Sequence, residues 1–143
     1  MIAVDANILV YAHRTESEFH STAAEVIRDL SEGNRLWALP WPCLHEFFCV
    51  VTHPKIYDPP TPAEQAIHQI DAWISSPALA LFSESGGYWP RLRPLLETGK
   101  VRGSMVYDAK IAAICIENGI EEFWTVDRDY SRFPGLKTRN PLL

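Results

Sequence analysis

Short apolar runs alternate with longer segments of helical periodicity along most of this chain. The runs that predict strands cover residues 2–4, 36–39, 79–82 and 123–126, and apolar residues at helical spacing fill the intervals. Strands and helices in this order form a parallel sheet, because each helix carries the chain back across the sheet. The alternation therefore predicts a three-layer α/β fold, with a central parallel sheet of four to five strands and helices on both faces.

Proline, glycine and capping residues mark the ends of several predicted helices. A buried helix is predicted over 41–52, where nearly every residue is apolar. Residues 61–64, Thr-Pro-Ala-Glu, predict a capping box with proline at the first helical position. A helix over 88–97 contains Pro94, a residue that can break it, and a helix over 105–117 ends at an Asn-Gly pair.

Length and charge limit the class of protein. The 143 residues, 47% of them apolar, predict one compact domain over 1–143. Lysine and arginine number 13 against 18 acidic residues, so bulk positive charge alone cannot hold a nucleic acid. No apolar run approaches the roughly 18 residues of a membrane span and no basic region opens the chain, so we expect a cytoplasmic protein with no membrane association.

Two aspartates, Asp5 and Asp127, directly follow predicted strands. Parallel sheets bind their ligands beyond the carboxyl ends of the strands, so both residues are expected at the edge where a site forms. Asp5 can instead serve only as the cap of the following helix. Asp129 has the same two interpretations, as the cap of a short helical turn or as a residue of the site.

Glu46 and Asp108 lie within apolar helical segments. Burial of an unpaired carboxylate costs several kcal/mol, so Glu46 must find a cation, become protonated or lie on an exposed edge of its helix. Asp108 shares one helical face with the apolar residues Ile111 and Cys115. Its position in the first turn favours the ionised form by about 0.3–1 kcal/mol, and a simple capping role would explain that position too.

Four of these acids are distant in sequence but can converge at one edge of the sheet: Asp5, Glu46, Asp108 and Asp127. Like charges about 4 Å apart repel by roughly 4 kcal/mol at an effective dielectric constant of about 20. Convergence therefore requires protonation, separation or a bound cation. Ligands that are all oxygen atoms favour Mg²⁺ or Mn²⁺. Such an ion supports phosphodiester hydrolysis, because it lowers the pKa of an attacking water.

Four segments together resemble PIN-domain ribonucleases, and more narrowly the VapC-type toxins of bacterial and archaeal toxin–antitoxin pairs. The segments are 4–12, the helix that holds Glu46, 106–113 and 125–136. The resemblance spans nearly the whole chain and implies a PIN-like fold. It also implies an acidic site that binds Mg²⁺ or Mn²⁺ and performs the catalysis. The four main residues of this site are Asp5, Glu46, Asp108 and Asp127, and Asp129 is an outer member.

The resemblance also suggests supporting residues. Asn7 is expected to orient the Asp5 carboxylate or a metal-bound water, unless it only caps a helix. Ser104 and Tyr107 stand where many relatives have asparagine and histidine. This departure is expected to affect substrate choice and local hydrogen bonding, while the acids stay intact. Three basic residues are candidate contacts for RNA or antitoxin, or simply solvated surface charges: Lys100, Arg102 and Arg128.

The implied function is a metal-dependent endoribonuclease that acts as the toxin of a type II toxin–antitoxin system. Its expected partners are an RNA substrate and a cognate VapB-type antitoxin, in a homodimer and in a hetero-oligomer with the antitoxin. One alternative is a catalytically silent PIN-like module that binds RNA or protein. Another is a phosphatase with Asp5 as the nucleophile, which Asn7 disfavours because that pattern requires a second aspartate at this position.

Overall fold

A computed structural model describes all residues from 1 to 143. The chain forms five strands, six α-helices and two short 3₁₀ turns. The turns cover Gly103–Met105 and Arg128–Arg132. In chain order, the other elements are β1 (Ile2–Val4), α1 (Ala6–His13), α2 (His20–Glu32), β2 (Trp37–Pro40), α3 (Trp41–Val51), α4 (Ala63–Ile74), β3 (Leu79–Phe82), α5 (Tyr88–Thr98), α6 (Val106–Glu117), β4 (Glu122–Trp124) and β5 (Thr138–Arg139).

All five strands pair in parallel, in the order β3-β2-β1-β4-β5. Ile2 of β1 is in register with Trp37 of β2 on one side and with Glu122 of β4 on the other. The chain builds the sheet outward from β1 to β3 and then crosses to the opposite side of β1 for β4. The strand order therefore reverses between β1 and β4, and ligands of parallel sheets bind at such a reversal.

Successive side chains of the central strands point to opposite faces of the sheet, as strand geometry requires. Ile2, Val4 and Leu39 belong to a core cluster that also contains side chains of α1, α2, α3 and α4. Ala3 and Ala38 belong to a second cluster with side chains of α5 and α6. These two buried layers confirm the expected arrangement of one sheet between two layers of helices.

Several predicted boundaries are wrong in detail. No capping box forms at α4, because Pro62 occupies the N-cap position and no side chain caps this helix. The hydroxyl of Thr61 contacts His13 and Arg14 instead. β4 ends at Trp124, two residues earlier than predicted, and Pro94 lies inside α5 without ending it. None of the helices has the length and apolar character that a membrane crossing requires.

Candidate active site

Asp5 lies directly beyond the carboxyl end of β1 and is buried, with 4% of its surface exposed. Its Oδ1 atom accepts a hydrogen bond of 2.7 Å from the backbone N–H of Ala6, so Asp5 does cap α1. Its Oδ2 atom accepts hydrogen bonds from the Thr125 hydroxyl at 2.7 Å and from the Asn7 amide at 3.3 Å. All of these donors are neutral, so the buried carboxylate has hydrogen bonds but no counter-charge.

Thr125 connects the two strand-end aspartates. Its hydroxyl donates to Asp5, and its oxygen accepts from the Asp127 backbone N–H at 3.0 Å and from the Asn7 side-chain amide at 3.2 Å. A hydroxyl has one donor and two acceptor positions, so all of its capacity is used. Sequence reasoning missed Thr125, although a polar residue at the end of an apolar run, two positions before Asp127, was the available signal.

Asn7 lies against Asp5, in the position that an orienting role requires. Its amide nitrogen donates to both Asp5 and Thr125, and its oxygen accepts from the backbone N–H of Val126 at 3.5 Å. Asn7 therefore links the start of α1 to the segment after β4. The alternative role as a helix cap is wrong, because Asp5 caps α1.

Asp127 is half-buried and lies three residues beyond the end of β4. Its Oδ1 atom accepts a hydrogen bond of 2.8 Å from the backbone N–H of Asp129 and so caps the 3₁₀ turn that follows. The interpretation of Asp129 as the cap of this turn is therefore wrong. Asp129 is exposed, and only its backbone amide takes part in the hydrogen bond to Asp127.

Glu46 and Asp108 approach the site from α3 and α6. Glu46 is exposed, so of the three predicted alternatives it takes the exposed edge of its helix. Asp108 is half-buried and lies within 3.5 Å of the Tyr130 hydroxyl, while Ile111 on the same face is buried. Both acids line a cavity of about 600 Å³ that is bounded by eight residues: Pro42, His45, Glu46, Ser104, Tyr107, Asp108, Lys110 and Ile111.

The carboxylates of the site influence one another's protonation. Burial raises the pKa of Asp5 to about 7, with the hydrogen bond from Thr125 opposing the shift and the charge of Glu46 adding to it. Burial also raises the pKa of Asp108, and the nearby charge of Asp127 raises it further. The pKa of Glu46 rises through partial desolvation and through the charges of Asp108 and Asp127. The four predicted acids therefore form one electrostatic cluster.

No basic residue forms an ion pair with this cluster, although the charge of Arg132 acts to lower the pKa of Asp108. The ion pairs of the structure involve other acids, and none contains Asp5, Glu46, Asp108, Asp127 or Asp129. Lys110, which sequence reasoning missed, lines the cavity but pairs with Glu84. A site with several carboxylates and no ion-pair partner has the negative charge that a divalent cation would balance.

The donor set fits a hard divalent cation, although the carboxylates do not form a closed coordination shell. No group of three or more His, Cys, Asp or Glu side chains lies close enough together to hold a metal ion. Mg²⁺ commonly uses only one or two carboxylates and retains several waters, so it does not need such a group. Asp5, Glu46, Asp108 and Asp127 are the residues that could hold the ion.

The basic candidates lie outside the cavity. Lys100, Arg102 and Arg128 are all exposed, and none of them lines the space between Glu46 and Asp108. Ser104, in contrast, lines this cavity from the 3₁₀ turn before α6. The structure therefore brings Ser104 to the acids and leaves the three basic residues on the surrounding surface.

Comparison with known proteins gives a family match and close relatives. The PIN domain model matches residues 2–136. The chain is 34% identical over 137 residues to Ribonuclease VapC48 of Mycobacterium tuberculosis (strain ATCC 25618 / H37Rv), covering 96% of this chain and 94% of that protein. It is 31% identical over 142 residues to Ribonuclease VapC43 of the same strain, covering 99% and 96%.

Two solved structures are similar in fold. VapBC2 from Rickettsia felis, solved bound to a DNA fragment from its promoter, has a TM-score of 0.68 at 23% identity, covering 98% of each chain. VapC20 of Mycobacterium tuberculosis, a toxin that cleaves the sarcin-ricin loop, has a TM-score of 0.66 at 16% identity, covering 92% of this chain and 93% of that one. At these identities the likeness concerns the fold alone.

Proposed function

Because this chain belongs to the PIN domain family, we propose that it is a divalent-metal-dependent endoribonuclease. The names of its relatives support the reaction, since proteins called Ribonuclease VapC cover nearly its whole length. The single observation that carries the proposal is the cluster of four interacting carboxylates without a basic partner at the reversal of strand order. Such a cluster is suited to a metal-assisted reaction on a phosphodiester.

The acids share one proposed role, the binding of a divalent cation. Asp5, Glu46, Asp108 and Asp127 would hold Mg²⁺ or Mn²⁺, one or two of them directly and the others through water, with Asp129 as an outer member. Asn7 and Thr125 fix the orientation of the Asp5 carboxylate through their hydrogen bonds to Oδ2. When bound, the ion lowers the pKa of an attacking water and offsets the charge of the scissile phosphate.

We propose that the protein is the toxin of a toxin–antitoxin pair and acts on RNA in the cytoplasm. The support is the likeness to the VapC relatives, and the chain shares its fold with VapBC2 from Rickettsia felis. The partner is then a VapB-type antitoxin, in a hetero-oligomer built on a homodimer of the toxin. We also propose that residues 1–143 form a single domain that carries the whole activity. Ser104 supports the site, and Lys100, Arg102 and Arg128 contact RNA or the antitoxin.

The first test replaces Asp108 by Asn and measures the cleavage of purified RNA in the presence of Mg²⁺. Loss of even an outer partner of a metal ligand costs about 10–100-fold, so we expect a fall of more than about 100-fold. Asp71→Asn is the matched control, because Asp71 is exposed on α4 and does not line the acidic cavity. A folded Asp108→Asn protein that cuts RNA at the parent rate would show that Asp108 is not a ligand.

Removal of the metal separates the enzyme from a silent binding module. We expect EDTA to abolish cleavage, and added Mg²⁺ or Mn²⁺ to restore it, because no basic residue forms an ion pair with the carboxylates. Purified protein that binds RNA but cuts no transcript with either ion would favour the silent module. Cleavage that continues in EDTA would contradict the proposed metal requirement.

The toxin role has its own test in cells. We expect expression of this chain alone to arrest growth, and co-expression of a small protein encoded next to it to relieve the arrest. The Asp108→Asn variant should allow growth without that neighbour. Equal arrest by the variant and the parent would show that toxicity does not depend on RNA cleavage, and the absence of arrest by the parent would contradict the toxin role.

A further inference from the structure

A second cavity, of about 180 Å³, lies beside the acidic site. Asn7 and Glu46 both line it, and Glu46 is the one residue that it shares with the larger cavity beside Asp108. Two short segments of α1 and α3 and one loop residue form its wall: Ala6, Asn7, Val10, Tyr11, Glu46, Val50 and Tyr57. Glu46 therefore lies between the two cavities, and a molecule bound at the carboxylates could extend past it into the second one.

The wall of this cavity differs in chemistry from the acidic site. Val10 and Val50 contribute apolar surface, and Tyr11 and Tyr57 contribute aromatic rings with hydroxyl groups. The volume corresponds to about six water molecules of ~30 Å³ each, which is room for one planar ring system but not for a whole nucleotide. A mostly apolar wall with a few polar groups is typical of a ligand site, and it disfavours a charged phosphate.

The Tyr57 ring is held in place from outside the cavity. The Arg14 guanidinium carbon lies 4.2 Å from the centroid of this ring. Arg14 also donates to the carbonyl oxygen of Pro59 at 3.0 Å and to the Thr61 hydroxyl at 3.1 Å, and it forms an ion pair with Glu16. These contacts fix Arg14, so the ring over which it lies is preorganised, and little conformational freedom remains to be lost on binding.

We propose that this cavity binds the nucleobase of a nucleotide next to the cleaved phosphate, with Tyr57 as the stacking ring. The proposal rests on the ribonuclease function proposed above. Every nucleobase has a π face that stacks on aromatic side chains, and the loss of one such contact weakens binding by about 5- to 100-fold. The ring edge of the base would face Glu46, because both amide hydrogens of Asn7 already donate to Asp5 and Thr125.

The experiment measures kcat and KM on an RNA with one cleavage site, in which each nucleotide beside the cut is replaced in turn by an abasic one. For Tyr57→Ala we expect KM to rise about tenfold on intact RNA while kcat changes less than about threefold. Tyr57→Phe keeps the ring and should remain near the parent. With the parent protein, the abasic RNA should raise KM about as much as Tyr57→Ala does on intact RNA. With Tyr57→Ala, the abasic RNA should cause no further rise in KM, because both changes remove the same contact.

A second variant fills the cavity from the opposite wall. Val50→Phe leaves the loop that holds Tyr57 unchanged, and it should also raise KM and remove the effect of the abasic nucleotide. Trp89→Ala is the control for loss of an exposed aromatic ring, because Trp89 is 56% exposed on α5 and lines neither cavity. This control should leave KM unchanged.

The outcomes separate this inference from the proposed function. If the parent protein cuts no RNA, the ribonuclease function itself fails. If the parent cuts RNA, and both Tyr57→Ala and Val50→Phe keep its KM and its response to abasic nucleotides, the base site is wrong and the ribonuclease stands. A Tyr57→Ala protein that melts earlier but binds RNA as the parent does would assign Tyr57 a purely structural role and overturn the inference.

Discussion

The two ends of α1 carry opposite kinds of polar cluster. At the N-terminal end, the buried Asp5 carboxylate accepts hydrogen bonds from neutral groups and has other carboxylates as its charged neighbours. At the C-terminal end, Arg14 pairs with Glu16, donates to Thr61 and lies against Tyr57. The negative charge of Asp5 at the N-terminal end and the positive charge of Arg14 at the C-terminal end are both favoured by the helix dipole. The dipole therefore does not explain why the two clusters differ.

The difference lies in whether each charge is compensated. The Arg14 cluster is complete without any added group, and it ties the loop of residues 53–62 to the end of α1. The Asp5 cluster holds a carboxylate whose pKa burial raises to about 7, which means that the folded chain tolerates its ionisation poorly. Strongly perturbed acids in a cavity are typical of functional sites, whereas complete ion pairs are typical of structural ones.

Replacement of Asp5 by Asn gives the largest expected effect and separates function from stability. We expect RNA cleavage to fall by more than about 100-fold, because a proposed metal ligand is lost. The free energy of unfolding at pH 8 should stay the same or rise, because the buried charge disappears and the cost of about one hydrogen bond, ~1 kcal/mol, offsets only part of that gain. Urea denaturation and cleavage assays test both parts, and a variant that is less stable but fully active would contradict the comparison.

The second prediction concerns the dependence of stability on pH, to which the Asp5 cluster and the Arg14 cluster contribute differently. In metal-free protein, the pKa of Asp5 rises from 3.8 to about 7 on folding, so the folded chain binds more protons than the unfolded chain at intermediate pH. The free energy of unfolding should therefore fall as the pH rises through that interval, by a few kcal/mol in all, and level off above pH 7.

Urea denaturation between pH 5 and 8 measures this dependence. Glu16, whose pKa lies below its ordinary value of 4.5, contributes in the opposite direction but only at lower pH. The Asp5→Asn variant should lose most of the slope, while Glu46 and Asp108 retain a smaller contribution of the same sign. An equal slope in the parent and the variant would show that another group is responsible.

Replacement of Arg14 by Ala breaks the compensated cluster. We expect the free energy of unfolding to fall by about 1–3 kcal/mol, because the Pro59 carbonyl and the Thr61 hydroxyl each lose a donor. The slope of stability against pH should remain that of the parent, since Asp5 is untouched. KM for RNA should rise several-fold, because Arg14 holds Tyr57. Unchanged stability would mean that the Arg14 contacts contribute nothing to the fold.

The smallest expected effect is at Asp129. Its side chain is exposed and its carboxylate accepts no hydrogen bond, so Asp129→Asn should change stability by less than about 0.5 kcal/mol. We expect cleavage to fall less than about fivefold, as suits an outer member of the metal site. A loss as large as that of Asp5→Asn would place Asp129 among the principal ligands.

Local patterns in the sequence predicted the elements and the acids but not their partners. The apolar runs and helical stripes predicted four of the five strands to within two residues, because burial of one face imposes a period on the chain. The capping box at 61–64 failed because the Thr61 hydroxyl contacts His13 and Arg14, which lie 48 and 47 residues earlier. For Glu46 the sequence left three alternatives open, and the structure places it on the exposed edge of its largely apolar helix.

By itself, the sequence determined a parallel sheet between helices and placed Asp5 at the end of its first strand. The strand order was decided only in the tertiary structure, where β4 pairs beside β1 and the Thr125 hydroxyl meets Asp5 across 120 residues. The physical reason is that periodicity specifies which side of an element is buried, whereas the choice of neighbouring strand depends on how the whole chain packs. The charge of the site follows from the sequence, and its lack of compensation follows from the fold.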